Sequence, residues 1–94
     1  MTEDVFNRLR ELDGQIVASG VNRHDRALTM INACINEGID RGPEIIAALA
    51  CLGFDRKHAG ITLSSNIQRD PVWPYWGRRD CGQYFAPEMP ADIP

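Results

Sequence analysis

Apolar residues recur at helical spacing from the start of the chain. In the opening segment they are four, three and four residues apart, which places them on one face of an α-helix. These positions are Val5, Leu9, Leu12 and Ile16, with Phe6 and Val17 widening the face. Ser19 and Gly20 end the pattern, because glycine accepts the left-handed conformation that follows a helix. The spacing predicts a first helix over residues 3–19, capped by Thr2.

Three further segments have the same helical signature, and their predicted bounds are 23–37, 43–51 and 55–66. Asn22 and Asp55 lie at the starts of the second and fourth helices, where their side chains can accept a bond from a backbone N–H. Pro43 is predicted to begin the third helix. Backbone N–H groups in the first turn have no partner within the helix, so a proline, which lacks this group, is tolerated there. The connection at Ile39 has room for only a short extended bridge.

The fourth predicted helix is more polar than the other three. Ala59 and Leu63 give it one narrow apolar edge. Its remaining faces carry Arg56, Lys57, His58, Ser64, Ser65 and Asn66. Gly60 lies in the middle of this helix, where glycine costs about 1 kcal/mol relative to alanine. That cost suggests the close approach of a neighbouring helix or of a ligand backbone.

β-favouring residues follow the break at Asp70-Pro71, and they are Val72, Trp73, Tyr75 and Trp76. Pro74 restricts this stretch to an edge strand. Residues 77–82 are predicted to form a charged loop, and 83–85 a returning strand. The aromatic cluster of this region is expected to cover the open side of the helical core, and it comprises Trp73, Tyr75, Trp76, Tyr84 and Phe85. The tail 86–94 has three prolines and no periodicity, so we expect it to be disordered.

Composition limits the class of protein. Ninety-four residues make one ordinary domain, and 44% hydrophobic with 24% charged residues is close to the globular average. There is no run of about eighteen apolar residues, so no membrane-spanning helix is expected. The acidic opening does not resemble a signal peptide, and we expect a cytoplasmic protein.

Three widely spaced cysteines and two distant histidines contain no metal-ligand pair, so we predict no metal site and no cofactor. Cys34 and Cys51 lie in apolar helical patterns and are predicted to be buried, whereas Cys81 lies in a predicted turn and should be exposed. The chain has no glycine-rich phosphate loop and none of the common catalytic motifs. We therefore expect no enzyme, although a Cys/His pair from distant positions stays open.

The net charge of −3 is unevenly distributed. Residues 1–53 sum to −3, residues 54–85 to +2 and residues 86–94 to −2. Basic charge is thus concentrated in the fourth helix and the hairpin, and a local basic patch matters more for binding a polyanion than the total does. An ordinary solvated surface is the alternative interpretation.

The order of helices and hairpin over residues 22–85 resembles the winged helix-turn-helix fold, with residues 3–19 as an extra N-terminal helix. The resemblance rests on this order and on the turn Cys51-Leu52-Gly53-Phe54. In that turn glycine allows the reversal and apolar neighbours fix the angle between two helices. We therefore expect a mostly α domain with a small β-hairpin over residues 1–85, with a helix-turn-helix at 43–66 and a wing at 72–85.

The resemblance implies that helix 55–66 enters the major groove of duplex DNA as a recognition helix. It assigns base contacts to Arg56, Lys57 and His58, and phosphate contacts to Ser64, Ser65 and Asn66. Arg78 and Arg79 at the wing would reach the DNA backbone or the minor groove. The implied function is that of a small DNA-binding transcriptional regulator, with helix 3–19 as the candidate homodimer element.

A protein-interaction module on the same scaffold is the alternative function. The acidic total, the acidic first helix and exposed wing aromatics would suit an adaptor or inhibitor that docks on a protein partner. The two functions make different demands on the surface around Arg56, Lys57, Arg78 and Arg79. DNA binding requires these residues to converge on one face, whereas protein docking requires an apolar patch flanked by acidic residues.

Overall fold

The computed structural model describes residues 3–72 and 75–87. Over those residues the chain forms four α-helices followed by a two-stranded antiparallel hairpin. The elements are α1 (Glu3–Ala18), α2 (Arg23–Asn36), α3 (Gly42–Cys51), α4 (Arg56–Ser65), β1 (Gly77–Arg78) and β2 (Tyr84–Phe85). The predicted mostly α class with a small β-hairpin is confirmed, and each predicted helix end is right to within one residue.

Local side-chain bonds explain where α2 and α4 begin. The Asn22 side chain accepts a bond of 2.9 Å from the backbone N–H of Asp25. Asp55 does the same for His58, at 3.0 Å. Both predicted caps are confirmed, and Pro43 lies in the first turn of α3 as expected. The cap predicted for α1, Thr2, lies outside the described residues.

The core is built around α2, which contacts each of the other three helices. The apolar face of α2 is buried at Ala27, Leu28, Ile31 and Cys34. α3 and α4 pack against each other through the tight turn, whose Phe54 is buried in the same core. No helix in the described part of the chain is long and apolar enough to cross a membrane.

α1 is part of this core and not an accessory. Leu9 is 1% exposed and belongs to the main apolar cluster. Arg26 of α2 donates two bonds to the Asp13 carboxylate, at 2.7 and 2.8 Å. Arg8 and Glu37 form a second ion pair at 2.6 Å. The extra N-terminal helix predicted at residues 3–19 is therefore an integral part of the core, and its role in a dimer stays a prediction.

The hairpin starts later than predicted. Its first strand is Gly77–Arg78, at the start of the predicted loop 77–82, and residues 79–83 form the loop. Gly77 pairs with Phe85, and a Cβ at Gly77 would overlap the Phe85 ring. Val72 accepts a bond from the N–H of Tyr75 at 3.0 Å, and neither residue is in a strand, although a strand was expected here. Trp73 and Pro74 of the expected strand lie outside the described residues, as does the tail from 88 onward.

Trp76 attaches the hairpin to α4. Its side chain is fully buried, and its indole N–H donates to the carbonyl of Leu63 at 2.9 Å. Its own carbonyl accepts from the N–H of Gln68 at 2.8 Å. Tyr84 is buried as well, whereas Tyr75 and Phe85 are half-buried. The prediction that these aromatic residues cover the helical core is thus confirmed most clearly for Trp76 and Tyr84.

The connection between α2 and α3 pairs with the other side of the hairpin. Arg41 and Gln83 form an antiparallel bridge, and the N–H of Tyr84 donates to the carbonyl of Asp40 at 2.7 Å. The Gln83 amide also donates to the Asp40 carboxylate at 2.6 Å. This segment follows the predicted bridge at Ile39, which is buried. The hairpin is therefore fixed both to the end of α4 and to the start of α3.

The cysteines follow the predictions at two of three positions. Cys34 is buried, and Cys81 is exposed in the hairpin loop. Cys51 is exposed, so its predicted burial is wrong. It is the last residue of α3 and lies at the rim of a small cavity of about 200 Å³ beside Ala47 and Ala48. A position at the end of a helix leaves one side of the residue without packing partners, even where the apolar spacing continues.

Candidate nucleic-acid interface

α4 has one buried and one exposed face. Ala59, Thr62 and Leu63 are buried against the rest of the domain. A helix turns by about 100° per residue, so Lys57, Ile61 and Ser64 share the opposite face, and all three are exposed. A Cβ at Gly60 would lie 3.6 Å from Cδ1 of Ile46, so the predicted close approach of a neighbouring helix is confirmed.

The structure divides the predicted site residues of α4 into two groups. Arg56, Lys57, Ser64 and Ser65 are exposed, whereas His58 and Asn66 are half-buried. The Asn66 amide donates to the carbonyl of Thr62 at 2.8 Å, on the side of the helix away from Lys57. The Nε2 atom of His58 is buried and has no hydrogen-bond partner among the described residues. His58 and Asn66 are therefore not part of the exposed face.

Arg78 and Arg79 lie on opposite faces of the hairpin. Side chains alternate along a strand, and Arg78 pairs with Tyr84 while Gly77 pairs with Phe85. The guanidinium carbon of Arg78 lies 6.0 Å from the centre of the Tyr84 ring. That of Arg79 lies 5.0 Å from the centre of the Phe85 ring. The two neighbouring arginines therefore do not act as one basic tip.

A groove of about 430 Å³ separates the hairpin from the helix pair. Its walls are Arg78, Gly82 and Tyr84 of the hairpin, Gly60 and Leu63 of α4, and the first turn of α3. Arg41 lies at its edge and was missed as a site residue. One feature of the sequence could have identified Arg41. It precedes the third helix at the capping position, where Ser, Thr, Asp or Asn is usual. None of the described lining residues is acidic.

The basic start of α4 lies one helical turn before Gly60, which lines the groove. Arg56 and Lys57 precede Gly60 by four and three residues, which places them one turn away on the same side of the helix. Ser64 continues this row in the other direction, and its hydroxyl donates to the carbonyl of Gly60 at 3.0 Å. Arg41 and Arg78 thus line the groove, Arg56 and Lys57 are exposed one helical turn before its Gly60, and Arg79 lies on the other face of the hairpin.

Acidic side chains are concentrated on a different element. α1 carries Glu3, Asp4, Glu11 and Asp13, and it packs on α2. Within residues 3–72 and 75–87, no three His, Cys, Asp or Glu side chains are placed to hold a metal ion. The domain therefore has a basic groove beside α4 and an acidic first helix.

The chain matches no protein-family model, no curated protein and no solved structure. The functional argument therefore rests on the exposed face of α4 and on the groove beside it.

Proposed function

We propose that this protein binds duplex DNA and acts as a small transcriptional regulator. The observation that carries the proposal is the exposure of Arg56 and Lys57 on α4, next to a groove that Arg41 and Arg78 line and that has no acidic residue among its described lining. A convex helix beside a basic groove suits a polyanion, because local charge governs such binding more than the net charge does.

The arrangement of the elements favours a winged helix-turn-helix for this purpose. α3, the tight turn and α4 supply the helix-turn-helix, and the hairpin beside α4 supplies the wing. The bridge between Arg41 and Gln83 supports this assignment, because it joins the connection before α3 to the wing. In that geometry α4 is the recognition helix and offers its exposed face to the major groove.

The exposed face of α4 suggests the division of contacts. Arg56 and Lys57 lie near its N-terminus, where side chains of a recognition helix reach base edges. Ile61 is 54% exposed in the middle of the face, where an aliphatic side chain can contact a thymine methyl group. Ser64 and Ser65 fit phosphate contacts. We propose a structural role for His58 and Asn66, because both are half-buried and Asn66 bonds within its own helix.

The test is binding to a fluorescent duplex of random sequence, followed by anisotropy over a series of salt concentrations. Neutralised phosphates release counterions, so the logarithm of the affinity should fall linearly with the logarithm of salt concentration, by about 0.9 per phosphate contact. Folded protein that does not bind at low salt would refute the proposal, since specific DNA-binding proteins keep a non-specific affinity.

A protein-interaction module is the second candidate function. Fewer of the aromatic residues are exposed for docking than the sequence suggested. Trp76 and Tyr84 are buried and cannot dock on a partner while the domain is folded. Large exposed aliphatic residues favour this function instead, and they include Ile61 on α4 and Val72 before the hairpin. Absence of DNA binding at low salt, with the fold intact, would make these residues the ones to test against protein partners.

A further inference from the structure

Arg41 occupies the N-cap position of α3, where it does not act as a cap. An arginine side chain has five N–H donors and no acceptor, so it cannot bind the free N–H groups of the first turn. Among the described residues its recorded side-chain bond instead runs to the hairpin, from Nη1 to the carbonyl of Cys81 at 2.8 Å. Arg41 is thus held across the groove, 40 residues away from its partner in sequence.

The guanidinium groups of Arg41 and Arg78 both lie beside Gly82. A Cβ built on Gly82 would lie 3.8 Å from Nη1 of Arg41 and 4.0 Å from Nη2 of Arg78. The two nitrogens therefore lie at most about 8 Å apart. Like charges at such a separation repel each other, and a shared anion between them would relieve the repulsion. Charge-assisted bonds from arginine to a phosphate oxygen are about 2.7–2.9 Å long, so one tetrahedral phosphate can reach both groups.

Within the described part of the chain, each guanidinium is positioned by one partner and keeps further N–H donors. Arg41 uses one N–H for Cys81, and Arg78 rests on the Tyr84 ring at 6.0 Å. The carboxylate of Asp40, the acidic residue next to Arg41, accepts from the Gln83 amide. The arginine pair therefore has donors available for an anion from solvent.

The shape of the groove favours a backbone phosphate over a whole small molecule. A small-molecule site encloses most of its ligand, whereas this groove is open along its length between the hairpin and the helix pair. Ile46 and Leu63 give it apolar walls, which strengthen an ion contact by excluding water. A phosphodiester that passes across the groove mouth needs only the two arginines.

We propose that Arg41 and Arg78 bind one phosphodiester group of duplex DNA between them, so that the backbone joins the start of α3 to the wing. This inference rests on the proposed function and extends it to a residue outside α4 and the hairpin. Arg41 then has two roles, because it fixes the hairpin loop through Cys81 and contacts the phosphate.

The test compares Arg41→Gln, Arg78→Gln and the double variant, with Arg79→Gln as the matched control on the other face of the hairpin. Each single variant should bind a random duplex about fivefold to tenfold more weakly at about 0.1 M salt. Because the two arginines share one phosphate, the double variant should lower the salt slope by about one contact and not by two. Arg79→Gln should have a smaller effect than either. Equal effects at positions 41, 78 and 79 would overturn the inference.

Two further measurements keep the outcomes separate. Circular dichroism and the fluorescence of buried Trp76 show whether Arg41→Gln has loosened the hairpin, and Arg41→Lys, which keeps the charge, should bind better than Arg41→Gln. Dimethyl phosphate, a phosphodiester monoanion, is titrated into the wild-type protein while the arginine Nε–H signals are followed by NMR. Shifts at Arg41 and Arg78 but not at Arg79 support the site even if the duplex does not bind, which would refute the proposed function alone. If dimethyl phosphate shifts the signals of Arg41 and Arg78 no more than that of Arg79, the proposed site is overturned, whether or not the duplex binds.

Discussion

Gly77 decides where the hairpin begins, because the Phe85 ring lies directly over its Cα. A Cβ at this position would overlap three ring carbons of Phe85. The aromatic ring in turn shields a strand pair that has only two residues on each side. This short hairpin therefore depends on the close contact between Gly77 and the cross-strand Phe85 ring, and not on the β-propensity of its residues.

Alanine substitution at two glycines should have opposite effects on stability. Gly77→Ala should destabilise the fold by about 1–3 kcal/mol, because the ring must move or the strands must separate. Gly14→Ala is the matched control, since a Cβ there meets no atom within 4 Å among the described residues. It should stabilise α1 by about 0.5–1 kcal/mol. Urea denaturation measures both values, and a destabilised Gly14→Ala or a neutral Gly77→Ala would contradict the packing described.

The three thiols should differ in reactivity. Burial, and next the nearby charge of Glu37, raise the pKa of Cys34 from 9.0 to about 12. Since the thiolate is the reactive form, Cys34 should be inert to an aromatic disulfide reagent near neutral pH. Cys51 and Cys81 are exposed and should react. Native protein should release two equivalents and urea-denatured protein three, whereas three rapid equivalents from native protein would contradict the burial of Cys34.

The same pKa shift predicts a loss of stability in alkali. The folded state holds the Cys34 proton to a higher pH than the unfolded chain does, so the unfolded state gains by releasing it first. The contribution of this group is complete below about pH 9 and is lost as the pH rises towards 12. Cys34→Ala should therefore lose less stability between pH 9 and 11 than wild type, with Cys81→Ala as the control that behaves like wild type.

At the scale of elements, α1 is attached to the rest of the domain by ion pairs of unequal quality. Arg26 donates to Asp13 through two nitrogens, lies 4.3 Å over the Phe54 ring and approaches the carbonyl of Leu52 at 3.4 Å. The bond to Asp13 raises the pKa of Arg26. One guanidinium thus joins α1, α2 and the turn before α4, which links the first helix to the candidate interface.

Asp13→Asn should therefore destabilise the protein far more than Glu37→Gln. The amide of asparagine cannot accept two charge-assisted bonds, and loss of such bonds at a largely buried site costs about 1–3 kcal/mol. Glu37 pairs with Arg8, whose side chain is 59% exposed, and exposed pairs contribute little. Thermal or urea unfolding of the two variants gives the comparison. Equal destabilisation would show that Arg26 does not have the joining role described here.

At the scale of the whole molecule, the parts predicted from sequence are those set by local interactions. Helix bounds follow from apolar spacing and from caps three residues away, as at Asn22 and Asp55. The position of β1 depends on Trp76, which bonds to a carbonyl 13 residues earlier, and on Phe85 across the hairpin. Distant contacts of this kind leave no periodic signal in the sequence, so the strand was placed too early.

The candidate site was predictable to a similar extent. Basic residues in α4 and the hairpin were evident from their positions, and Lys57 lies on the exposed face. The burial of Asn66 could not be read from its polar character, since its amide is satisfied within its own helix. Arg41 was missed because its partner, the carbonyl of Cys81, is brought near it only by the fold. The faces of the hairpin on which Arg78 and Arg79 lie are set by the strand register, which the sequence did not predict.

The separation of charge across the molecule gives a final prediction that distinguishes a local interface from general attraction. Lys57→Glu and Arg10→Glu each lower the net charge of −3 by two. Both side chains are exposed, but Lys57 lies on α4 and Arg10 on α1. If DNA contacts α4, Lys57→Glu should weaken binding to a random duplex by at least about tenfold and reduce the salt slope by about one. Arg10→Glu changes a residue outside the proposed contact and should change the affinity little, because salt at 0.1 M screens charges separated by more than about 10 Å. Equal losses from the two variants would mean that net charge, and not the face of α4, governs binding.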